Sequence, residues 1–161
     1  MATSNRTEGC TTSAMDEAAS EGHFNIVEFL HENRTEGCTT IAMDKAASHG
    51  FWDIVQWLHE NRSEGCSVNA MDQVAYGGHL NVVKYLHENR TEGCSTNALD
   101  YAVYCGHLDI IKFLTDHCTE GFTTSGKNHA LDRNQIEIVE LLNIHDDLPS
   151  PKRRKTVSIG Q

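Results

Sequence analysis

Six cysteines and ten histidines are the side chains in this sequence best suited to metal ligation, disulfide formation or nucleophile–base chemistry. Four of the cysteines, Cys10, Cys38, Cys66 and Cys94, recur every 28 residues, while Cys105 and Cys118 stand outside that series. Zinc sites usually show CxxC or HxxxH spacing, and neither occurs here. A disulfide needs Cα atoms within about 7 Å. Equivalent positions on stacked helices lie about 8–10 Å apart. The cysteine ladder is therefore expected to consist of buried free thiols, as free cysteine commonly is, and Cys105 and Cys118 are read as free thiols too.

The histidines form two further ladders. His23, His79 and His107 each follow a glycine, at a position where Phe51 and Gln135 also occur. His31, His59 and His87 fall in the C-terminal half of a helical segment, where a cation suits the helix dipole. A general base needs a nucleophile and substrate groups held around it, whereas a residue repeated in unit after unit serves the unit itself. No nucleophile–base pair and no glycine-rich phosphate loop is apparent. The expectation is a chain without catalytic residues, cofactor or metal.

An internal repeat positions these ladders. The string NRTEGC occurs at residues 5–10, 33–38 and 89–94, and NRSEGC at 61–66, always 28 apart. A more divergent copy begins at Glu120-Gly121-Phe122. The units are read as 10–37, 38–65, 66–93, 94–121 and 122–148, after a lead-in of residues 1–9. Within the second unit Ala42, Met43, Ala46 and Ala47 form one face of a short helix. Gly50 ends it, as Gly22, Gly78 and Gly106 end their counterparts, because glycine accepts the left-handed conformation cheaply. Trp52, Ile54, Val55, Trp57 and Leu58 then mark a second helix that ends near Asn61. Each unit is thus helix A, tight turn, helix B, loop.

Ser13, Asn69, Asn97 and Ser125 are expected to cap helix A, with Thr40 serving in the second unit. Asp16, Asp72 and Asp100 would then lie in the first turn and favour the helix dipole. The sequons at Asn5, Asn33, Asn61 and Asn89 are read as helix C-terminal residues rather than glycosylation sites, since no apolar signal segment opens the chain. The series Phe29, Trp57, Tyr85 and Phe113 is expected to pack between helix B layers rather than stack on bases. One unit buries too little apolar surface to offset its own ordering, so the units must stack, as in a solenoid.

The stretch Ser13-Ala-Met-Asp-Glu-Ala-Ala-Ser-Glu-Gly-His-Phe-Asn-Ile-Val-Glu-Phe-Leu30 resembles the ankyrin consensus T-P-L-H-x-A-A-x-x-G-H-x-x-I-V-x-x-L-L. The fourth unit matches similarly through Gly106-His107-Leu108, Ile110-Ile111 and Leu114. The resemblance covers residues 10–142. Ala-Met-Asp stands where the family has Pro-Leu-His, and the unit is shorter than the family's period of about 33 residues. It implies an all-α solenoid of about five stacked helix–turn–helix repeats lacking the long β-hairpin fingers. It also implies a partner groove lined mainly by helix A and short turns.

Positions that differ between units can carry specificity, because units share what folding needs. One helix A position reads Glu17, Lys45, Gln73, Tyr101, His129, and another Ser20, Ser48, Tyr76, Tyr104, Asp132. A third reads Glu21, His49, Gly77, Cys105, Arg133. Glu17, Lys45, Ser48, His49, Gln73, Tyr76, Tyr101 and Tyr104 are the partner-binding candidates, with the tyrosines gathered on the third and fourth units. Tyrosine is enriched at interface hot spots.

Four of the 13 basic residues lie in Lys152, Arg153, Arg154 and Lys155, so nine stand against all 23 acidic residues in the body. Such a body repels phosphate backbones and argues against nucleic acid as partner. No run of apolar residues is long enough to span a membrane. Residues 149–161 are expected to be a disordered basic tail. Pro151-Lys-Arg-Arg-Lys155 resembles a nuclear localisation signal read by an import receptor, and Thr156 follows it in a basophilic kinase pattern. The expected locale is nucleus or cytoplasm, the nucleus favoured. Gly126, Lys127, Asn128 and Asn134 give the fifth unit the look of a C-terminal cap, whereas the first unit keeps Ala14, Met15, Ala18 and Ala19 on an uncapped face. The functional expectation is a non-enzymatic protein–protein interaction module, a scaffold or adaptor. The alternative is an accessory or regulatory piece of a larger enzyme or signalling protein.

Overall fold

The computed structural model describes the backbone of residues 11–147 and the side chains of 11–143. Asn5, Cys10, Lys152, Arg153, Arg154, Lys155 and Thr156 lie outside the described residues. Ten α-helices and no strand are found among the described residues. They run in five pairs: α1 (Thr12–Ser20) with α2 (Phe24–Asn33), α3 (Thr40–Ser48) with α4 (Trp52–Asn61), α5 (Val68–Gly77) with α6 (Leu80–Asn89), α7 (Thr96–Cys105) with α8 (Leu108–His117), and α9 (Thr124–Asp132) with α10 (Ile136–Asp147). The first helix of each pair, helix A, lies along helix A of the next, and this is the main seam of the stack. The second helices, the B layer, touch more lightly. The seam is tight because its residues are small: Ala42, Ala46, Ala47, Ala70, Ala75, Ala98 and Ala102 are essentially without exposure. Larger side chains from helix B, among them Ile54, Leu58, Val82, Ile110 and Leu114, fill the space between layers.

The helix A caps sit before the expected ones, by one residue in the second pair and by two in the others, and Thr11 precedes α1 without a side-chain cap bond. Thr39, Ser67, Ser95 and Thr123 hold the cap position, and each hydroxyl accepts the N–H two residues on, from Ile41, Asn69, Asn97 and Ser125 at 3.1–3.2 Å. The selection is made by the preceding pair. Asp16, Asp44, Asp72 and Asp100 lie beyond the first turn of their own helices. Each accepts the backbone N–H of the next pair's cap residue at 2.8–2.9 Å and the same residue's hydroxyl. The expected dipole role of these aspartates is thus replaced by an inter-unit one. One hydroxyl donates backwards to the aspartate and accepts forwards from its own helix, so both its bonding directions are used.

Helix A ends on a left-handed residue in every pair, with φ between 73° and 80° at Gly22, Gly50, Gly78 and Gly106, and 55° at Asn134. The side chain that follows each of these turns reaches back over the previous one: Phe51 over Gly22, His79 over Gly50, His107 over Gly78. His107 Nε2–H donates to the Tyr76 carbonyl at 3.1 Å, and His79 bonds to the Ser48 carbonyl. The first histidine ladder is therefore a clasp between pairs.

Burial, then the neighbouring His107 and His49, hold the His79 imidazole below its ordinary value of 6.5. A depressed folded value means that protonation favours the unfolded chain. The stability tied to neutral His79 is present above 6.5 and is lost as pH falls through the folded value. Gln135 occupies the same position in the fifth pair, so His79→Gln should fold and show a shallower acid-side loss. Denaturant titrations well above and well below 6.5 check this; an unchanged difference between the two conditions would discard it.

The second ladder lies in the B layer. His31, His59 and His87 meet Trp57, Tyr85 and Phe113 edge-on, with ring centroids 5.0–5.6 Å apart. These aromatics are half-buried rather than central, and Phe29, with no preceding helix B among the described residues, is 57% exposed. Helix B ends as expected, since the Asn33, Asn61 and Asn89 side chains each donate to the carbonyl four residues back at 2.9 Å. At the ends of the stack the outcome differs from expectation. Met15, Ala18 and Ala19 are buried, not an open face, and it is Ile26 and Phe29 that are exposed in the first pair. In the fifth pair Gly126 is buried against the Asp100 carboxylate, while Leu131 and Ile136 face solvent, so that pair is only partly polar outside.

Candidate functional site

Two surface features stand out from the repeated frame, one on helix A and one in the inter-unit loops. The first is a hollow of about 470 Å³ formed by α5, α7 and α9. Tyr76, Tyr101 and Tyr104 line it, together with Asn97, Ser125 and His129. Tyr76 meets Tyr101 edge-on with centroids 5.7 Å apart, and Tyr104 meets His129 at 5.3 Å. The Arg133 guanidinium lies over the Tyr104 ring, 4.4 Å from its centroid, and bonds to the Tyr104 carbonyl. Tyr76 and Tyr104 remain 49% and 40% exposed, so rings oriented by their neighbours still present a large apolar edge to solvent.

The second feature is the loop ladder. In each turn the glutamate accepts the N–H of the residue before it, as Glu64 does from Ser63 at 3.0 Å, Glu92 from Thr91 at 2.9 Å and Glu120 from Thr119 at 2.9 Å. Arg62 binds Glu64 through two nitrogens, and Arg90 binds Glu92 likewise. These hydrogen bonds raise both guanidinium groups and lower both carboxyls from their ordinary values. The thiols of Cys38 and Cys66, buried behind these pairs, are pushed up to about 11, chiefly by burial and then by Glu64 and Glu92. They are inert by that measure. At the next rung Cys118 stands in the arginine register, and its thiol meets Cys94. Their mutual hydrogen bond lowers Cys118 and raises Cys94.

The family profile for ankyrin repeats (many copies) matches residues 15–59, 43–87 and 71–115. Each match spans two successive helix pairs, and the three advance in steps of the 28-residue period. The chain belongs to the ankyrin-repeat family. No curated protein matches it. Ankyrin repeats are generally protein–protein interaction modules and typically non-catalytic. No helix among the described residues is long and apolar enough to cross a membrane.

In this ankyrin array the loops between pairs carry no strand among the described residues, as the short period implies. The aspartate standing where the family has histidine forms the inter-unit bonds described above. Of the eight partner-binding candidates, Tyr76, Tyr101 and Tyr104 come together around one hollow. Glu17, Lys45, Ser48, His49 and Gln73 do not line it; they occupy the equivalent helix A positions of the first three pairs. Glu17, Lys45 and His49 are exposed, and Ser48 and Gln73 are partly so. His49 stacks on Phe51, and its Nδ1–H donates to the Lys45 carbonyl at 2.9 Å, so it is already fixed within its own turn. His129 and Arg133, variable helix A positions not counted among the candidates, join the hollow and its rim, and the meeting of Cys94 with Cys118 was not foreseen. The signal for the last was available: Cys118 lies 28 residues after Arg90, at a position that otherwise holds arginine.

Proposed function

We propose that the chain is a non-enzymatic scaffold or adaptor that takes a protein partner on its helix A face, centred on the hollow of the third to fifth pairs. The observation that carries this reading is the tyrosine cluster. The other helices A carry no tyrosine, phenylalanine or tryptophan, yet here Tyr76, Tyr101 and Tyr104 converge, partly exposed, on a space large enough for a side chain or short segment. Rigid aromatic rings around a concave site give contact area at small entropic loss. The partner is a protein rather than a nucleic acid, because a body with 23 acidic and nine basic residues repels phosphate. The run Lys152, Arg153, Arg154, Lys155 supports an added role as an import signal bound by an acidic receptor groove, placing the adaptor in the nucleus for part of its life, with Thr156 as the adjoining phosphorylation site.

Affinity capture from native lysate tests the interface. The full chain is compared with Tyr76→Ala/Tyr101→Ala/Tyr104→Ala, both showing the same helical circular dichroism. Loss of three hot-spot rings should reduce recovery of a protein partner by at least about tenfold. Equal recovery by both forms would remove the hollow as the docking site.

A further inference from the structure

The loop ladder changes character at its third rung, and the change concerns cations. At the first two rungs a guanidinium lies between the thiol of one inter-unit loop and the carboxylate of the next: Arg62 between Cys38 and Glu64, Arg90 between Cys66 and Glu92. The same groups cover the preceding glycine turns, since a Cβ on Gly37 or Gly65 would run into Nη2 of Arg62 or Arg90. At the third rung Cys118 replaces the arginine while the glutamate and the preceding cysteine are kept. The positive charge is gone and a second sulfur has taken its place. Cys94 Sγ lies 3.7 Å from Glu120 Oε2. The two sulfurs and a Glu120 carboxylate oxygen all fall within 4.8 Å of one another. A Cβ on Gly93 would meet nothing within 4 Å, and the rung opens on a hollow of about 220 Å³ that His87 and His117 also border.

We propose that Cys94, Cys118 and Glu120 form a binding site for a thiophilic divalent cation, Zn²⁺, with solvent at the fourth position. Bonds of about 2.3 Å to sulfur set tetrahedral donors about 3.8 Å apart, a separation this cluster reaches with small side-chain shifts. Two thiolates and a carboxylate favour zinc over magnesium or calcium, which prefer oxygen. Half-burial of both cysteines shields the bonds, while Glu120 at the exposed rim leaves a path of entry. Binding breaks two S–H bonds, forms two metal–sulfur bonds and releases two protons to solvent, with no electron transferred. The ion then stands where the guanidinium stands in the neighbouring rungs and links the fourth pair to the turn that leads into the fifth. The donors are spread over two successive loops, 24 residues apart, which is why no short chain motif marks them. The site shares no residue with the tyrosine hollow, so it does not depend on the partner reading.

The test uses the full chain, reduced and metal-free, titrated with Co²⁺ as spectroscopic probe and then with Zn²⁺. Wild type should bind one cobalt per chain, with a thiolate-to-metal charge-transfer band and tetrahedral visible bands that zinc abolishes. Cys118→Arg rebuilds the rung as it stands at Arg62 and Arg90, so it should remain folded and lose the bands. Cys66→Ser, which leaves the third rung intact, should keep them. Absence of the bands in wild type, or their persistence in Cys118→Arg, would overturn the proposal. Wild type that binds no cobalt, but joins Cys94 to Cys118 as a disulfide on peroxide treatment, would assign the pair to redox chemistry instead.

Discussion

Replacing Asp72 by alanine is expected to destabilise the array by about 3 kcal/mol. Asp72 is 2% exposed, and its carboxylate accepts both the Ser95 backbone N–H and the Ser95 hydroxyl. Hydrogen bonds to a charged group contribute about 1.5–3 kcal/mol each when broken one-sidedly. Alanine also leaves the Ser95 N–H at the start of α7 without an acceptor, although its better helix propensity returns about 0.7 kcal/mol. Ser95→Ala should lose less, about 1–2 kcal/mol, because it removes the cap and one bond but leaves the backbone N–H on the carboxylate. The double variant should fall short of the sum by about 1 kcal/mol, the signature of a shared interaction. Urea titrations of the four proteins measure this. In a one-dimensional array a weakened seam between α5 and α7 should also lower the apparent m-value, as the pairs on either side begin to unfold separately. A loss under about 1 kcal/mol would mean that water takes over the aspartate's role and that the ladder of aspartates is incidental to the stack.

That ladder also shows where reading the chain succeeds and where it stops. The pairing of helices, the glycine turns and the odd conformation of Asn134 follow from self-similarity, since each recurs or is substituted at a fixed 28-residue offset. The caps do not. Thr39-Thr40, Ser95-Thr96-Asn97 and Thr123-Thr124-Ser125 each offer several side chains able to cap, and local rules accept more than one of them. The choice is made by an aspartate 23 residues earlier, on the preceding helix A, so it depends on how far one pair is displaced against the next. The same displacement decides that Tyr76 meets Tyr101 and that Cys94 meets Cys118. Tyr76, Tyr101 and Cys118 were identifiable as departures from their registers: tyrosine where others have serine or glutamine, cysteine where others have arginine. Which departures face one another required the stacking geometry. Identity of the candidate residues was therefore legible, and their grouping into a hollow and a rung was not.

The left-handed turn of the third pair offers the second large effect. Gly78 sits at φ 80°, and a Cβ there would come within 2.6 Å of the His107 ring. Gly78→Ala should cost about 2–3 kcal/mol, of which about 1–2 kcal/mol is the penalty of an L-residue in that conformation. The remainder comes from displacing His107, whose Nε2–H bond to the Tyr76 carbonyl spans the third and fourth pairs. Gly106→Ala separates the two contributions. Its backbone is the same, at φ 78°, but the nearest atom to the new Cβ is the amide nitrogen of Gln135 at 3.0 Å, on a flexible side chain that can swing aside. Gly106→Ala should thus lose only the backbone share, and the difference between the two variants reports the clasp. Asn134, which holds the equivalent position at φ 55°, shows that asparagine accepts the conformation, so Gly78→Asn should recover part of the backbone loss while retaining the ring clash. Because Tyr76 carries both the carbonyl that His107 grips and a ring of the hollow, Gly78→Ala should also weaken partner recovery under conditions where the protein remains fully folded, and Gly106→Ala less so. Equal stability losses from Gly78→Ala and Gly106→Ala would show that the histidine contributes nothing beyond the turn itself.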